Sequence, residues 1–140
     1  LGVQLGLEGQ ATFGEQNLGW MAAAEFADAA ALGKHVEQAL GRTPVCVGGE
    51  RLRPNHPIRR IAWCTGGAQG FFEAAIAAGA DAFITGEISE PQAHLARETG
   101  VAFLAAGHHA TERYGAPALA GQVALELGLE HRFIEIDNPA

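Results

Sequence analysis

The 140-residue sequence has no apolar stretch near the roughly 20 residues that a membrane-spanning helix needs. No signal-peptide pattern opens it, so a cytoplasmic setting is expected. Basic residues are few: nine Lys and Arg, thinly spread, against sixteen Asp and Glu, give a net charge of -7. A nucleic-acid ligand requires a clustered basic surface to displace counterions. Without one, nucleic acid is not expected, and small-molecule or metal chemistry is favoured. Cysteine is scarce too. Cys46 and Cys64 lack C-x-x-C spacing, which excludes a thiolate zinc site and a disulfide framework. They sit in or beside the apolar runs Val45-Cys46-Val47 and Ile61-Ala62-Trp63-Cys64, so both are expected to be buried, reduced thiols. Low-complexity tracts and internal repeats are missing.

What is present describes one globular domain over residues 1–140. Hydrophobic residues make up 48% and charged residues 18%, enough apolar material for one core at this length. The chain opens on Leu1 in mid-pattern, as a fragment or processed product would. A short strand is expected over residues 18–22. Phe26, Ala29, Ala30, Val36 and Leu40 follow at helical spacing within residues 25–40, and Gly41 marks the stop. Residues 44–48 read as a strand and residues 49–57 as a loop.

From Ile58 the pattern becomes regular. Strands are expected over residues 58–64, 81–84, 101–106 and 131–136. Helices are expected over residues 68–78 and 90–98, with a longer one ending near Gly128. Alternation of strand and helix predicts an α/β fold, a layered sheet with mainly parallel strands and helices on both faces. The strands carry little polar alternation, as strands covered on both faces should.

In such sheets, sites form in the loops that leave the carboxyl ends of the strands. Three loops share a grammar here: Thr65-Gly66-Gly67, Thr85-Gly86-Glu87 and Gly107-His108-His109. Parallel strands would bring all three to one edge. Glu87, His108, His109 and Glu112 are the groups there able to bind metal or move protons. His108 and Glu112, four apart, share a helix face and can address one ion; alternatively the histidines cap the helix and Glu112 faces water. An imidazole with a carboxylate suits Zn, Mn, Fe or Ni better than Mg or Ca. Glu87 reads either as the orienting partner of a ligand or as an acid near a helix start. The turn at residues 65–70 is a tight structural turn or an anion cradle. His94, four residues after Glu90, reads as a helix-face residue, and His35, His56 and His131 have no companion pattern.

Three strings in order carry a family resemblance: Ala62-Trp63-Cys64-Thr65-Gly66-Gly67-Ala68-Gln69, Asp81-Ala82-Phe83-Ile84-Thr85-Gly86-Glu87, and Ala105-Ala106-Gly107-His108-His109-Ala110-Thr111-Glu112-Arg113. They resemble the YbgI-type dinuclear metal-centre proteins of the NGG-interacting-factor-three-like family, also called GTP cyclohydrolase 1 type 2 homologues. The likeness runs from about Leu1 to Ala140 and corresponds to that family's C-terminal portion.

The resemblance implies two divalent metal ions per subunit in a full-length protein, with His108 and Glu112 as ligands and His109 beside the site. It also implies a homohexameric ring and a hydrolase acting on a nucleotide-like small molecule; in such an enzyme Glu87 or His109 is the expected proton handler. The family's remaining ligands lie in an N-terminal portion, so this chain is expected to hold at most half of the site. The alternative is a non-catalytic metal-binding or protein-interaction ring module.

Overall fold

The computed structural model describes residues 1–49 and 57–139. Most of the loop expected over residues 49–57, and His56 with it, lies outside the described residues. The described elements are strands β1 (Ala11–Phe13), β2 (Gly19–Phe26), β3 (Val45–Val47), β4 (Ile58–Trp63), β5 (Ala82–Thr85) and β6 (Ala102–Ala105), with helices α1 (Ala29–Leu40), α2 (Phe72–Ala77), α3 (Glu90–Thr99), α4 (His108–Glu112) and α5 (Gly115–Leu127). The strands form one sheet in the order β1-β2-β4-β5-β6-β3.

The α/β class is as the alternation predicts, but the sheet is mixed. Only β4–β5 and β5–β6 pair in parallel. The pairings β1–β2, β2–β4 and β3–β6 are antiparallel. The first strand–helix–strand unit, β2–α1–β3, places its two strands on opposite flanks of the sheet, so parallel pairing of neighbours is confined to the three central strands. Those strands position the site.

Each central strand alternates between two apolar layers. Ile61 and Trp63 of β4, Ala82 and Ile84 of β5, and Ala102 and Leu104 of β6 join one cluster with Leu32, Val36 and Leu40 of α1. Ala62, Phe83 and Phe103 face the other way, onto Phe72 and Ala75 of α2 and Ala96 of α3. Helices therefore cover both faces, and this removes polar alternation from the strands. Phe103 packs edge-on to Phe72 at 4.9 Å and to Phe83 at 5.7 Å between ring centroids. Full burial of each such side chain is worth about 1.5–3 kcal/mol.

Local chemistry sets the helix ends. Asp28 Oδ1 accepts from Ala31 N at 2.8 Å and starts α1. Gly41 (φ 68°) ends it, and Gly100 (φ 75°) ends α3.

Other expectations need correction. Residues 25–26, read as the start of a helix, end β2 instead, because Phe26 pairs with Ile58 across the sheet after a bulge. The short strand β1 was not expected. The expected helix over residues 68–78 divides into a 3-10 turn, Gln69–Phe71, and α2. The long helix toward Gly128 breaks into α4 and α5 around Arg113 and Tyr114. Residues 129–139 form no strand and are exposed throughout, although Phe133, Ile134 and Ile136 are apolar. With Leu119 (68% exposed), Leu125 (78%) and Leu127 (67%) of α5, they leave an extended apolar surface open.

The cysteines also depart from expectation. Neither is in a disulfide, but Cys46 is exposed and Cys64 only half-buried. β3 is an edge strand, so the apolar run around Cys46 has one strand neighbour among the described residues. Burial pushes the Cys64 thiol pKa up, against a backbone hydrogen bond at Thr65 that lowers it, and the Glu112 carboxylate adds to the rise. A thiol held protonated reacts slowly. Alkylation of the native protein at mildly alkaline pH should modify Cys46 well before Cys64. Equal rates at the two positions would show that Cys64 is not shielded as described.

Candidate functional site

The parallel register of β4, β5 and β6 brings their three exit loops together, and hydrogen bonds lock them. Gly66 is the meeting point. Its carbonyl accepts from Thr85 Oγ1 at 3.1 Å, from Gly86 N at 2.9 Å and from Ala68 N at 3.0 Å. Its N–H donates to Thr111 Oγ1 at 3.0 Å. Thr111 in turn donates toward the carbonyls of Gly107 and His108, both at 2.9 Å. Gly107 N donates to Gly86 O at 2.9 Å and links the second loop to the third. The polar groups of Gly66 are thus consumed in holding the loops together, which makes it a structural turn.

Two glycines are required by this crowding. Gly66 has a φ of 66°, and a methyl group there would lie 2.0 Å from Glu112 Oε1 and 3.0 Å from His108 Nε2. A methyl group at Gly86 would lie 2.7 Å from both Gly66 O and the His108 Cα. The shared Thr-Gly sequence of the first two loops therefore reflects close backbone approach.

Against this frame stands the imidazole of His108, held between two carboxylates. Nδ1 donates to Glu87 Oε1 at 2.5 Å, and Nε2 lies 3.1 Å from Glu112 Oε2. All three side chains are roughly half-exposed. The Glu87 hydrogen bond raises the His108 pKa above its ordinary value, and the Glu112 charge adds to the rise. A proton on Nδ1 shared with Glu87 fixes the tautomer whose Nε2 lone pair points to the Glu112 side. That carboxylate–histidine arrangement is how proteins orient a metal-binding imidazole. The donor chemistry therefore fits a divalent transition metal at His108 Nε2 and Glu112. Among the described residues, however, no group of three or more His, Cys, Asp and Glu is placed to hold an ion.

The structure thus brings together Glu87, His108 and Glu112. It does not bring His109 to them. His109 Nε2 donates to Glu135 Oε1 at 3.0 Å, and Arg113 Nη1 donates to the same oxygen at 3.3 Å. The His109 hydrogen bond holds the Glu135 pKa below the ordinary carboxylate value, with Arg113 contributing. His94 faces Glu90 at 3.7 Å on the exposed side of α3, as its spacing predicts. His35 donates to Leu5 O at 2.8 Å and serves packing. Thr85, Thr111 and Arg113 were missed from sequence. The threonines are the only buried polar residues among those described, and a second Thr-Gly loop was the one sign that pointed to Thr85.

Thr111→Val should remove the acceptor for the buried Gly66 N–H while keeping the side-chain volume. The expected loss is about 1–3 kcal/mol of unfolding free energy, measured by urea denaturation. A change below about 0.5 kcal/mol would mean that the loops do not depend on this bond.

The curated GTP cyclohydrolase 1 type 2 homolog of Neisseria meningitidis serogroup A is 51% identical over 138 residues, 98% of this chain and 54% of that protein. The protein of the same name from Pseudomonas aeruginosa is 56% identical over 107 residues, 76% of this chain and 40% of that protein. The chain spans about half the length of the curated relatives it matches. A solved structure of protein ybgI, described as of unknown function, aligns with a TM-score of 0.89 at 40% identity, covering 99% of this chain and 55% of that one. The profile of Duf34/NIF3 (NGG1p interacting factor 3) matches residues 1–139. On that match, this chain belongs to the Duf34/NIF3 family.

Proposed function

We propose that His108 and Glu112 are one half of a divalent-metal site, with Glu87 as the residue that positions His108. The observation that carries this reading is the His108 ring fixed by Glu87 at Nδ1, with Nε2 and Glu112 Oε2 converging at 3.1 Å. A third and fourth ligand come, on this reading, from outside residues 1–140, in the additional length that the relatives possess. Two ions per subunit complete the centre, with Zn, Mn, Fe or Ni suited to the donor set. Bound divalent ions would supply Lewis acidity for a hydrolytic reaction. The substrate class is a nucleotide-like small molecule, the direction in which the relatives' name points, and the setting is the cytoplasm. No helix of the described residues is long and apolar enough to cross a membrane.

The chain's own residues have distinct parts in this scheme. His108 and Glu112 bind and must face the ion together. Glu87 holds the Nδ1 proton and keeps the ring from rotating. His109, paired with Glu135, lies to the side and takes no part in ligation.

A homohexameric ring is the proposed assembly. A second reading, a non-catalytic ring or interaction module, is favoured by the open apolar surface of α5 and residues 129–136.

Calorimetric titration of this chain with zinc or manganese should give weak binding, because two protein ligands make an incomplete set. His108→Ala should abolish it, Glu87→Gln should weaken it roughly tenfold, and His94→Ala should leave it unchanged. Light scattering should show self-association. A tight two-metal isotherm from a monodisperse monomer would overturn the half-site, and identical isotherms for wild type and His108→Ala would overturn the ligand assignment.

A further inference from the structure

Beside His109 lies a cleft of about 320 Å3, whose lining includes Arg42, His109, Arg113, Glu135 and Asp137. We propose that this cleft is an oxyanion-binding site for a phosphate-type group, in which the Glu135 carboxylate of the same chain stands where the ligand's anion would. The proposal is independent of the metal reading, because His109 and not His108 faces this cleft.

The donors are fixed by the fold. Arg113 Nη2 donates to Leu40 O at 2.6 Å and stitches α4 to the end of α1, while its guanidinium lies 5.5 Å from the Tyr114 ring centre. That leaves Nη1 to face the cleft. Arg42, just beyond α1, packs against the turn before α4: a methyl group at Gly107 would lie 2.7 Å from Arg42 Nε. Among the described residues no carboxylate pairs with Arg42, so its charge is available to a ligand.

Glu135 is held differently. It belongs to residues 129–139, which form neither helix nor strand and are exposed along their whole length. Its contacts in the cleft are the two donors that converge on Oε1, from His109 Nε2 and Arg113 Nη1. Two cationic or polar donors on one anionic oxygen, with a second guanidinium beside them, is the pattern that recognises phosphate and carboxylate oxygens. The donors sit on helical or helix-end residues and the carboxylate on an exposed segment outside helix and sheet, which makes the carboxylate the exchangeable member. Asp137, the other acid lining the cleft, lies on the same exposed run and would leave with it.

Calorimetry at low salt, with inorganic phosphate and with adenosine monophosphate as separate probes, tests this. Glu135→Gln should tighten binding about two- to fivefold, the competition expected from a half-exposed ion pair. Arg42→Gln should weaken it about fivefold or more, and the fold should survive because Arg113 keeps the bond to Leu40; the thermal unfolding midpoint checks this. Binding of inorganic phosphate identifies a free-anion site. Binding of the nucleotide alone identifies the phosphate as part of a larger ligand, and supports the proposal equally. Absence of binding of both probes to Glu135→Gln protein would overturn it, as would affinities unmoved by either substitution in protein that remains folded.

Discussion

The candidate site depends on a single residue's backbone. Gly66 accepts hydrogen bonds from the second loop through Thr85 and Gly86 and donates one to Thr111 of the third. Three loops from three parallel strands are thereby fixed relative to one another to within hydrogen-bond tolerance. A side chain at Gly66 would collide with Glu112 and crowd His108. The same absence of a Cβ thus lets the loops meet and leaves space for the imidazole and carboxylate above them. Two buried threonine hydroxyls complete the lock, where their polar atoms are satisfied and cost little.

The sheet around this lock serves it unequally. Parallel pairing is limited to β4, β5 and β6, the strands whose exits carry functional groups. Antiparallel neighbours β2 and β3 flank them and supply coverage and width. Their residues are more exposed, and Trp20 and Val45 stand partly in solvent. An aromatic cluster joins Phe83 and Phe103, on the strands that hold two of the loops, to Phe72 of α2. Support for the loops therefore comes from fully buried, mutually packed rings.

Legibility in the sequence followed the same division. The central strands, α1 and α3 were readable because their apolar runs end in Gly or begin with an N-cap, both local signals. The meeting of Glu87, His108 and Glu112 was readable once the three loops were assigned to parallel strands. What was not readable depends on partners distant in sequence. Phe26 is strand because Ile58 lies opposite, 32 positions on, and periodicity within residues 25–40 contains no trace of that pairing. Residues 131–136 contain an apolar run that reads as a strand, yet among the described residues they find no partner strand. Cys46 has apolar neighbours on both sides but lies at a sheet edge, which its own sequence does not reveal.

The adjacent histidines show how one turn can present two chemistries. Consecutive residues on a helix differ by about 100° in direction, so one ring cannot share its neighbour's partners. His108 is directed at Glu87 and Glu112, an acidic environment that suits a cation. His109 is directed toward Arg113 and Glu135, beside Arg42, an environment with guanidinium groups that suits an anion. The charges separate across the helix even though the chain's net charge is strongly negative. A motif containing His-His is therefore two half-motifs that share a backbone. Substituting one ring should alter one site while the other keeps its geometry, because the turn itself is held by Thr111 and Gly107 and by neither imidazole.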